Sequence, residues 1–379
     1  MTKRNSRPCC ASTRSPRDER RRLVTDLLAL TAELVDIPSV SHEETALADH
    51  MESALRRARH LTVDRFGDTL VARTTLGRSR RLLLAGHLDT VPPFGQGGHR
   101  LDGDSLCGLG AVDMKGGLAV LLDLARTVTE PAVDATFLFY TCEEVERRYN
   151  GLNALVIENP EIITADAAVL AEPTGGLVEA GCQGTMRVEV TLTGRRAHTA
   201  RPWAGVNAVH RLAPVLGALE AYVPRRVILD GCEYMEQLQA VGVSGGVAGN
   251  VVPDEAVILI NLRFAPDRDL AGAEAEVHRL LDGALDPHVG DRIEVVDAVA
   301  GAVPGLDHPL LSGLVSATGQ SPRAKLGWTD VATLSAAGVP AANFGPGDPL
   351  LAHTPDENVS RAELTGVRDA LSSVLTSAP

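Results

Sequence analysis

The sequence predicts an α/β protein whose mostly parallel central sheet is interrupted by a smaller, inserted α+β domain. Short apolar runs, typical of strands buried on both faces, alternate with helical patterns towards both ends of the chain. The middle of the chain, from about residue 183 to 299, has the β-α-β-β-α-β order of a ferredoxin-like unit. The length of 379 residues, 44% of them hydrophobic, fits a globular chain of two domains.

The first half of the chain supplies most elements of the larger domain. Apolar residues at helical spacing predict a helix over 23–35, followed by a turn and a helix start over 36–44. Residues 61–74 predict a hairpin that bends at Gly67 and Asp68. The next predicted elements are a buried strand over 82–85, an apolar helix over 116–128, and buried strands within 134–144 and 166–172.

The inserted domain begins where the pattern changes to a period of two. Its predicted elements are a strand over 185–194, a helix over 203–222, strands over 238–246 and 255–266, a helix over 270–285 and a strand over 291–299. A helix over 309–319, a strand over 340–346 and a terminal helix from Ser360 then return to the larger domain. We therefore expect a disordered extension over 1–22, a discontinuous α/β domain over 23–182 and 300–379, and a smaller inserted domain over 183–299.

Charge and cysteine usage narrow the class of protein. The formal net charge of −13 argues against nucleic acid or an anionic membrane as a partner. No apolar run reaches the roughly 18 residues that a membrane span needs. The six cysteines form no C-x-x-C pair, so we expect neither a disulfide framework nor a thiolate zinc site, and a reducing cytoplasmic location fits.

Side chains that can bind metal ions follow the ends of several predicted strands. Because ligands bind outside the carboxyl ends of strands in open α/β sheets, we expect these side chains to meet at one edge. Two glutamates directly after the strand over 134–140 would repel each other at a low-dielectric edge unless a cation lies between them. The candidates are His87, Asp89, Asp113, Glu143, Glu144, Glu172 and His353.

The donor set predicts two divalent ions. Imidazole nitrogen and carboxylate oxygen without cysteine suit Zn²⁺, Co²⁺ or Mn²⁺. Two histidines and three carboxylates are too many for one tetrahedral ion and suit two ions that share a bridging carboxylate. Of Glu143 and Glu144, one can hold a metal and the other can take a proton from water, and the residues alone do not decide which. Asp89 is within reach of the second ring nitrogen of His87, where it would orient the ring.

Seven motifs, in this order between about residues 25 and 375, resemble those of the M20 metallopeptidase family. They are GHLDTVP, GLGAVDMKGG, CEEVE…NGL, AEPT, GRRAHTARPWAGVNAVH, GNVVPDEAVILINLRFAPD and FGPGDPLLAHTPDE. The resemblance implies a zinc-peptidase-like catalytic domain that carries an inserted ferredoxin-like dimerisation domain. It also implies a metal-dependent amidohydrolase that acts as a homodimer on a small N-acylated amino acid, with two divalent ions, expected to be Zn²⁺, as cofactors.

The resemblance also assigns roles to single residues. It makes His87 and Glu172 ligands of one ion, Glu144 and His353 ligands of the other, and Asp113 the bridge, with a cis peptide between Asp113 and Met114. It makes Glu143 the general base and Asp89 the partner of His87. It further implies that His198 reaches across a dimer interface to the oxyanion, and that Asn250 and Arg263 contact carboxylates of the substrate.

Several functions remain open within and outside the family. The motifs EAGCQGT, GWTDVA and NFGPGDPLLAH are most similar to actinobacterial members that hydrolyse N-succinyl-LL-2,6-diaminopimelate to succinate and LL-2,6-diaminopimelate, in lysine and cell-wall biosynthesis. The alternatives are another N-acyl-amino-acid deacylase such as an acetylornithine deacetylase, a paralogue recruited to another pathway, and a non-catalytic binding protein. A nicotinamide oxidoreductase is disfavoured, because no strand directly precedes the glycine-rich loop over 108–117.

Overall fold

The computed structural model describes residues 26–95 and 97–377, and the extension predicted over 1–22 lies outside them. The helices are α1 (Leu27–Val35), α2 (Thr45–Arg56), α3 (Gly116–Thr127), α4 (Gly151–Glu158), α5 (Leu212–Glu220), α6 (Leu270–Leu280), α7 (Pro309–Thr318), α8 (Val331–Ala336) and α9 (Arg361–Thr376). Among the described residues, no helix is both long and apolar enough to span a membrane.

The strands form one large sheet, one smaller sheet and two minor ones. They are β1 (Thr62–Phe66), β2 (Thr69–Arg73), β3 (Arg81–His87), β4 (Arg100–Asp102), β5 (Ser105–Cys107), β6 (Asp134–Tyr140), β7 (Ala167–Leu170), β8 (Glu179–Ala180), β9 (Gly184–Thr193), β10 (Arg226–Leu229), β11 (Cys232–Met235), β12 (Gln237–Gly245), β13 (Glu255–Phe264), β14 (Arg292–Val299), β15 (Arg323–Ala324), β16 (Ala341–Asn343) and β17 (Asn358–Ser360).

The large sheet has eight strands in the order β1-β2-β6-β3-β7-β16-β8-β15. Its centre is parallel, since β3 pairs in parallel with both β6 and β7, and β16 pairs in parallel with β7. Antiparallel pairs occur at β1-β2, β2-β6 and β16-β8. The predicted mostly parallel sheet is confirmed. The parallel centre brings the carboxyl ends of β3, β6 and β7 to one rim.

Both faces of the large sheet are covered, which explains the continuous apolar runs of its central strands. One core packs α1, α2, α3, α7 and α9 against one face and includes Leu82, Leu84 and Phe137. The second core packs α4 and α8 against the other face and includes Leu83 and Leu138. Successive residues of a strand therefore enter opposite cores, and the rim is held on a rigid base.

The smaller sheet has the order β12-β13-β9-β14, and all its pairs are antiparallel. With α5 after β9 and α6 after β13, the chain order is β-α-β-β-α-β, which confirms the predicted ferredoxin-like unit. Inward-facing residues of β9 and β13, among them Val188, Val190 and Ile258, pack with α5 and α6 in a separate core. The domain boundaries at 182/183 and 299/300 remain a proposal.

Two features of the smaller domain differ from the prediction. The helix expected over 203–222 is only α5, because Asn207 accepts hydrogen bonds from the N–H groups of Val209 and His210 and turns the chain there. In addition, the hairpin β10–β11 follows α5 and packs Cys232 and Tyr234 against the large domain at Ala180 and Ala324.

Candidate metal centre

Five predicted ligands meet at the rim of the large sheet. His87 ends β3, Glu144 follows β6, Glu172 follows β7, Asp113 precedes α3, and His353 comes from a late loop. Potential ligand atoms within 4.8 Å of one another form one group of His87, Asp113 and Glu172 and another of Asp113, Glu144 and His353. We call these five residues the metal cluster. A further group of the same kind joins His87 to Glu143 and Glu144.

Asp113 lies between the two histidines. Its Oδ1 is 3.0 Å from Nε2 of His87, and its Oδ2 is 3.5 Å from Nε2 of His353. Nε2 of His353 is also 2.7 Å from Oε1 of Glu144. One carboxylate thus presents its two oxygens to two separate ligand groups, which is the arrangement of a bridging ligand.

The loop that carries Asp113 is held by Glu357, a residue that the sequence analysis did not single out. The buried Glu357 carboxylate accepts hydrogen bonds from the N–H groups of Gly110 (3.0 Å), Val112 (2.9 Å) and Asp113 (2.9 Å). The peptide bond between Asp113 and Met114 is cis, as the resemblance implied. Glu357 follows His353 by four residues, so one segment both contributes a ligand and fixes the bridge.

The His87 ring is fully oriented by its own strand end. Its Nδ1 is 3.0 Å from the main-chain oxygen of Asp89, and since a carbonyl only accepts, Nδ1 carries the proton. Nε2, which is 3.0 Å from Oδ1 of Asp113, is then the nitrogen that would coordinate a metal ion once one is bound. The Asp89 carboxylate, predicted to be the orienting partner, is more distant from Nδ1, at 3.4 Å.

The buried Asp89 carboxylate instead organises the two neighbouring glutamates. Its Oδ1 accepts from the N–H of Glu143 at 2.9 Å, and its Oδ2 accepts from the N–H of Glu144 at 3.1 Å. Oδ2 also accepts from Oγ of Ser41 at 2.8 Å. The residue before the pair, Cys142, has a left-handed φ of 58°. This turn and the Asp89 hydrogen bonds fix where Glu143 and Glu144 lie relative to His87.

Burial and neighbouring charges shift the pKa values of two glutamates and one histidine at this site. Burial and the charge of Asp113 raise the pKa of Glu172 to about 7. Burial and the facing Glu172 raise the pKa of Glu143 well above its usual value. Conversely, hydrogen bonds to Asp113 and Glu144 raise the pKa of His353 to about 10. The carboxyl groups therefore crowd one another in a way that cations between them would relieve.

The residues of the cluster fit divalent metal ions. Oε1 of Glu172 is buried and has no hydrogen-bond partner among the described residues, although it lies in the first ligand group. A buried carboxylate oxygen without a donor is costly, and a coordinated cation would satisfy it. The set of imidazole nitrogens and carboxylate oxygens suits Zn²⁺, Co²⁺ or Mn²⁺. The structure does not identify the metal.

A cavity of about 580 Å³ opens beside the cluster and reaches to the small sheet. Asp113, Glu143, Glu144, Glu172 and His353 line one side, and the cations Arg147, Arg187, Arg263 and Lys325 are also among its lining residues. Two of the four cations already have an acidic partner, Arg187 in Asp297 of the cavity wall and Lys325 in the buried Glu179.

Two of the lining cations, Arg147 and Arg263 of β13, have no acidic partner among the described residues, and of these Arg147 is exposed whereas Arg263 is half-buried. Within residues 26–95 and 97–377, no carboxylate or hydrogen-bond acceptor pairs with its half-buried guanidinium. Burial and the nearby Arg187 lower its pKa from the usual value, so its charge is poorly compensated. A guanidinium with a planar pair of donors suits a carboxylate of a ligand.

His198 and Asn250 are not brought to the cavity of their own chain. Both are exposed and neither lines it. They lie beside each other, because His198 bridges to Val251 and the N–H of Thr199 donates to the Asn250 carbonyl. Nδ1 of His198 accepts from the N–H of Ala200 at 3.0 Å, so the neutral ring carries its proton on Nε2 and presents a donor to its surroundings.

The comparisons with known proteins agree with this geometry. The model of "Peptidase family M20/M25/M40" matches residues 83–377. A Mycobacterium tuberculosis protein named "Putative succinyl-diaminopimelate desuccinylase" is 52% identical over 347 residues, 91% of this chain and 97% of the relative. A succinyl-diaminopimelate desuccinylase of Corynebacterium glutamicum is 45% identical over 360 residues, 93% of this chain and 97% of the relative.

The fold also matches solved structures. The aminopeptidase PepT of Bacillus cereus superimposes with a TM-score of 0.76 at 18% identity, covering 93% of this chain and 98% of that one. At this identity the likeness concerns the fold alone. It supports the combination of a mostly parallel sheet with a smaller antiparallel one.

Proposed function

This chain belongs to peptidase family M20/M25/M40, and from that premise we propose that it is an amidohydrolase of N-succinyl-LL-2,6-diaminopimelate. It would hydrolyse the amide bond to release succinate and LL-2,6-diaminopimelate. The observation that carries the chemistry is the pair of ligand groups that share Asp113, with Glu143 beside them at the cavity. The relatives from Mycobacterium and Corynebacterium support the choice of substrate.

We propose that His87 and Glu172 hold one divalent ion, that Glu144 and His353 hold the other, and that Asp113 bridges them. Zn²⁺ fits these donors best, with Co²⁺ and Mn²⁺ as alternatives. When bound, such ions lower the pKa of a water molecule and polarise a carbonyl group. Asp89 supports the site by fixing the backbone of Glu143 and Glu144.

Glu143 is the proposed general base. It lines the cavity, and it forms a further group of potential ligands with His87 and Glu144. It is not a member of either of the two ligand groups that share Asp113. It would take a proton from the attacking water as the C–O bond forms. It would then give that proton to the leaving nitrogen as the C–N bond breaks, so that one carboxyl group serves both halves of the reaction.

The proposed substrate is rich in carboxylates, and the cavity wall has the matching charges. Arg263 would bind one carboxylate, because it is the half-buried cation of the described wall that has no acidic partner. Lys325 and Arg187 line the same cavity, one after β15 and one on β9, although each already has an acidic neighbour. Net acidity of the chain does not prevent anion binding where cations face a cavity.

A second copy of the chain is the proposed partner. Strand β12 is the last strand of the small sheet, so one of its edges is unpaired within the described residues. Val241 and Val243 of this strand are 54% and 57% exposed, and Val247, two residues after its end, is 62% exposed. An unpaired strand edge with exposed apolar residues favours pairing with another chain. In such a dimer, His198 would donate from Nε2 to the oxyanion of the partner's reaction, and Asn250 would contact its substrate.

The test is an assay of succinate release from N-succinyl-LL-2,6-diaminopimelate beside acetate release from N-acetylornithine. We expect kcat/KM to favour the succinyl substrate, and we expect excess EDTA to abolish turnover until Zn²⁺ or Co²⁺ is restored. A preference for the acetyl substrate would replace the proposed substrate while keeping the chemistry. Full activity after proven metal removal would overturn the chemistry itself.

A further inference from the structure

A buried glutamate on the other side of the Glu143–Glu144 turn has no place in the reaction described above. Glu44 immediately precedes α2 and is only 3% exposed. Its carboxylate makes no hydrogen bond to the N–H groups at the start of its own helix. Oε1 instead accepts from the N–H of Cys142 at 3.0 Å and from the Cys142 thiol at 3.3 Å. One oxygen thus holds both donors of a single residue 98 positions away.

The residue that Glu44 holds, Cys142, is one of four described non-glycine residues with a positive φ. Cys142 has φ 58°, in the left-handed region that glycine adopts freely and other residues adopt at a cost. Two hydrogen bonds to Glu44 supply a reason for a side chain at this position, because a glycine would lack the thiol donor. The contact therefore compensates locally for a strained turn.

The turn at Cys142 determines the direction of the next two residues. Immediately after it, the N–H groups of Glu143 and Glu144 both point to Asp89. The side chain of Glu144 then reaches His353 at 2.7 Å, whereas Glu143 faces Glu172. A different φ at Cys142 would rotate this dipeptide away from Asp89, and both glutamates would move relative to the cluster.

We propose that Glu44 is a positioning residue for the reaction, which acts through the left-handed turn at Cys142 on the base Glu143 and the ligand Glu144. Ser41 belongs to the same segment and holds Asp89 from the same side. Residues 39–44 thus contact both glutamate-positioning elements, the turn and the Asp89 carboxylate. Small displacements of reacting groups reduce turnover steeply, so the contact matters for rate even though Glu44 touches no substrate.

The experiment is a double-mutant cycle between Glu44→Ala and Cys142→Gly on the metal-loaded enzyme. Glu44→Ala is expected to lower kcat about 10- to 100-fold with KM little changed. In the Cys142→Gly background, where no side chain opposes the left-handed φ, the same substitution is expected to cost less than about threefold. Glu43→Ala, at an exposed neighbouring glutamate, is the matched control and should leave kcat unchanged.

A second measurement does not depend on the substrate. Titration of the metal-free protein with Co²⁺, followed by visible absorbance, is expected to show that Glu44→Ala weakens one of two equivalents about 10-fold, because only one of the two groups that share Asp113 contains Glu144. Should Glu44→Ala fail to fold, Glu44→Asp, which keeps the charge but shortens the reach, replaces it in both measurements with the same expectations.

The kinetic measurement rests on the proposed function. The positioning role of Glu44 and the proposed function can nevertheless fail separately. A wild-type enzyme that releases no succinate refutes the function and leaves the Co²⁺ titration to judge the positioning role. An active wild type, with equal losses from Glu44→Ala in the wild-type and Cys142→Gly backgrounds, would show that Glu44 only stabilises the fold. Unchanged kcat and unchanged Co²⁺ affinity in the Glu44 variants would also overturn the proposal.

Discussion

The residues of the metal cluster all come together within one chain, whereas the exposed region around His198 lies away from the cavity of its own chain. Each ligand of the cluster contacts another member or is fixed by a buried group such as Glu357 or Asp89. His198 and Asn250, by contrast, lie exposed in the inserted domain, which also carries the edge strand β12, and neither lines the cavity of its own chain. The proposed metal site is therefore contained in one chain, whereas the role proposed for His198 and Asn250 requires a second chain.

The two regions therefore need different tests. The cluster can be judged within one chain, because its distances and burial are fixed by the large sheet. The role proposed for His198 requires a dimer and is tested on the assembly in solution.

The largest effect is expected inside the cluster. Glu143→Gln keeps the shape of the side chain but removes the proton acceptor, so kcat should fall about 10²- to 10⁴-fold. Metal content and molecular mass in solution should remain those of the wild type, since Glu143 is dispensable to both ligand groups that share Asp113. Elemental analysis and light scattering on the assayed sample check this. A variant with normal turnover would transfer the role of base to another group.

The next effect concerns the exposed region and compares cis with trans action. His198→Ala should lower kcat about 10²- to 10³-fold if its Nε2–H stabilises an oxyanion. When this variant is mixed with Glu143→Gln and the subunits are allowed to exchange, activity should return. Each mixed dimer would pair an intact Glu143 of one chain with an intact His198 of the other.

The size of the recovery is set by subunit statistics. Half of the dimers in a random equal mixture are mixed, and each has one working site of two, so about a quarter of the wild-type activity is expected. No recovery after proven exchange would mean that His198 does not act on the partner. In that case the two regions would be functionally independent, and the comparison above would fail.

The sequence predicts the ligands of the metal cluster better than the residues that hold those ligands in place, and the reason is physical. The ligands His87, Glu144 and Glu172 can be identified from the sequence because each lies at, or shortly after, the end of an apolar strand. The supporting contacts join residues far apart in the chain, as Glu357 does with Asp113 and Glu44 with Cys142. No local pattern marks such pairs, because they depend on how α2 and the last loop pack against the sheet.

The hairpin β10–β11 is a different kind of omission. Its turn, Asp230-Gly231, carries the signal of a two-residue hairpin, and both residues have positive φ (48° and 79°). The flanking residues Val227 and Tyr234 lie directly opposite each other. Here the sequence contained the information, whereas for α8, a helix of six residues, the pattern is too short to identify.

A smaller effect is expected at Arg263, a residue of the small sheet that lines the cavity beside the metal cluster. Arg263→Ala should lower kcat/KM for the succinyl substrate about 10- to 100-fold, because a charge-assisted pair with a carboxylate is lost. The same substitution should change kcat/KM for N-acetylornithine less, if the lost partner is the succinyl carboxylate. Equal losses for both substrates would place Arg263 at the amino-acid end instead. Arg226→Ala, at an exposed arginine that pairs with Glu233 and does not line the cavity, is the matched control.

The smallest effect on turnover is expected from a charge that serves only the fold of the inserted domain. The Asp291 side chain is fully buried and pairs with Arg211, and it accepts from the N–H groups of Thr193 and Asp286. Burial alone would raise its pKa, but the Arg211 and backbone hydrogen bonds outweigh it and hold the pKa below 3.8. A carboxyl group with a lowered pKa stabilises the folded state above its unfolded pKa.

That stabilisation should therefore be lost progressively as the pH falls from the ordinary carboxyl pKa through the lowered pKa of folded Asp291. Asp291→Asn should lower the free energy of unfolding by about 1–3 kcal/mol at neutral pH and flatten its dependence on acid pH. Metal content and kcat of the folded fraction should not change, because Asp291 is remote from the cluster in the fold. Denaturant unfolding between about pH 3 and pH 7 measures the first effect. A loss of kcat without a loss of stability would instead show that the inserted domain transmits changes to the metal cluster, contrary to the division between the two regions.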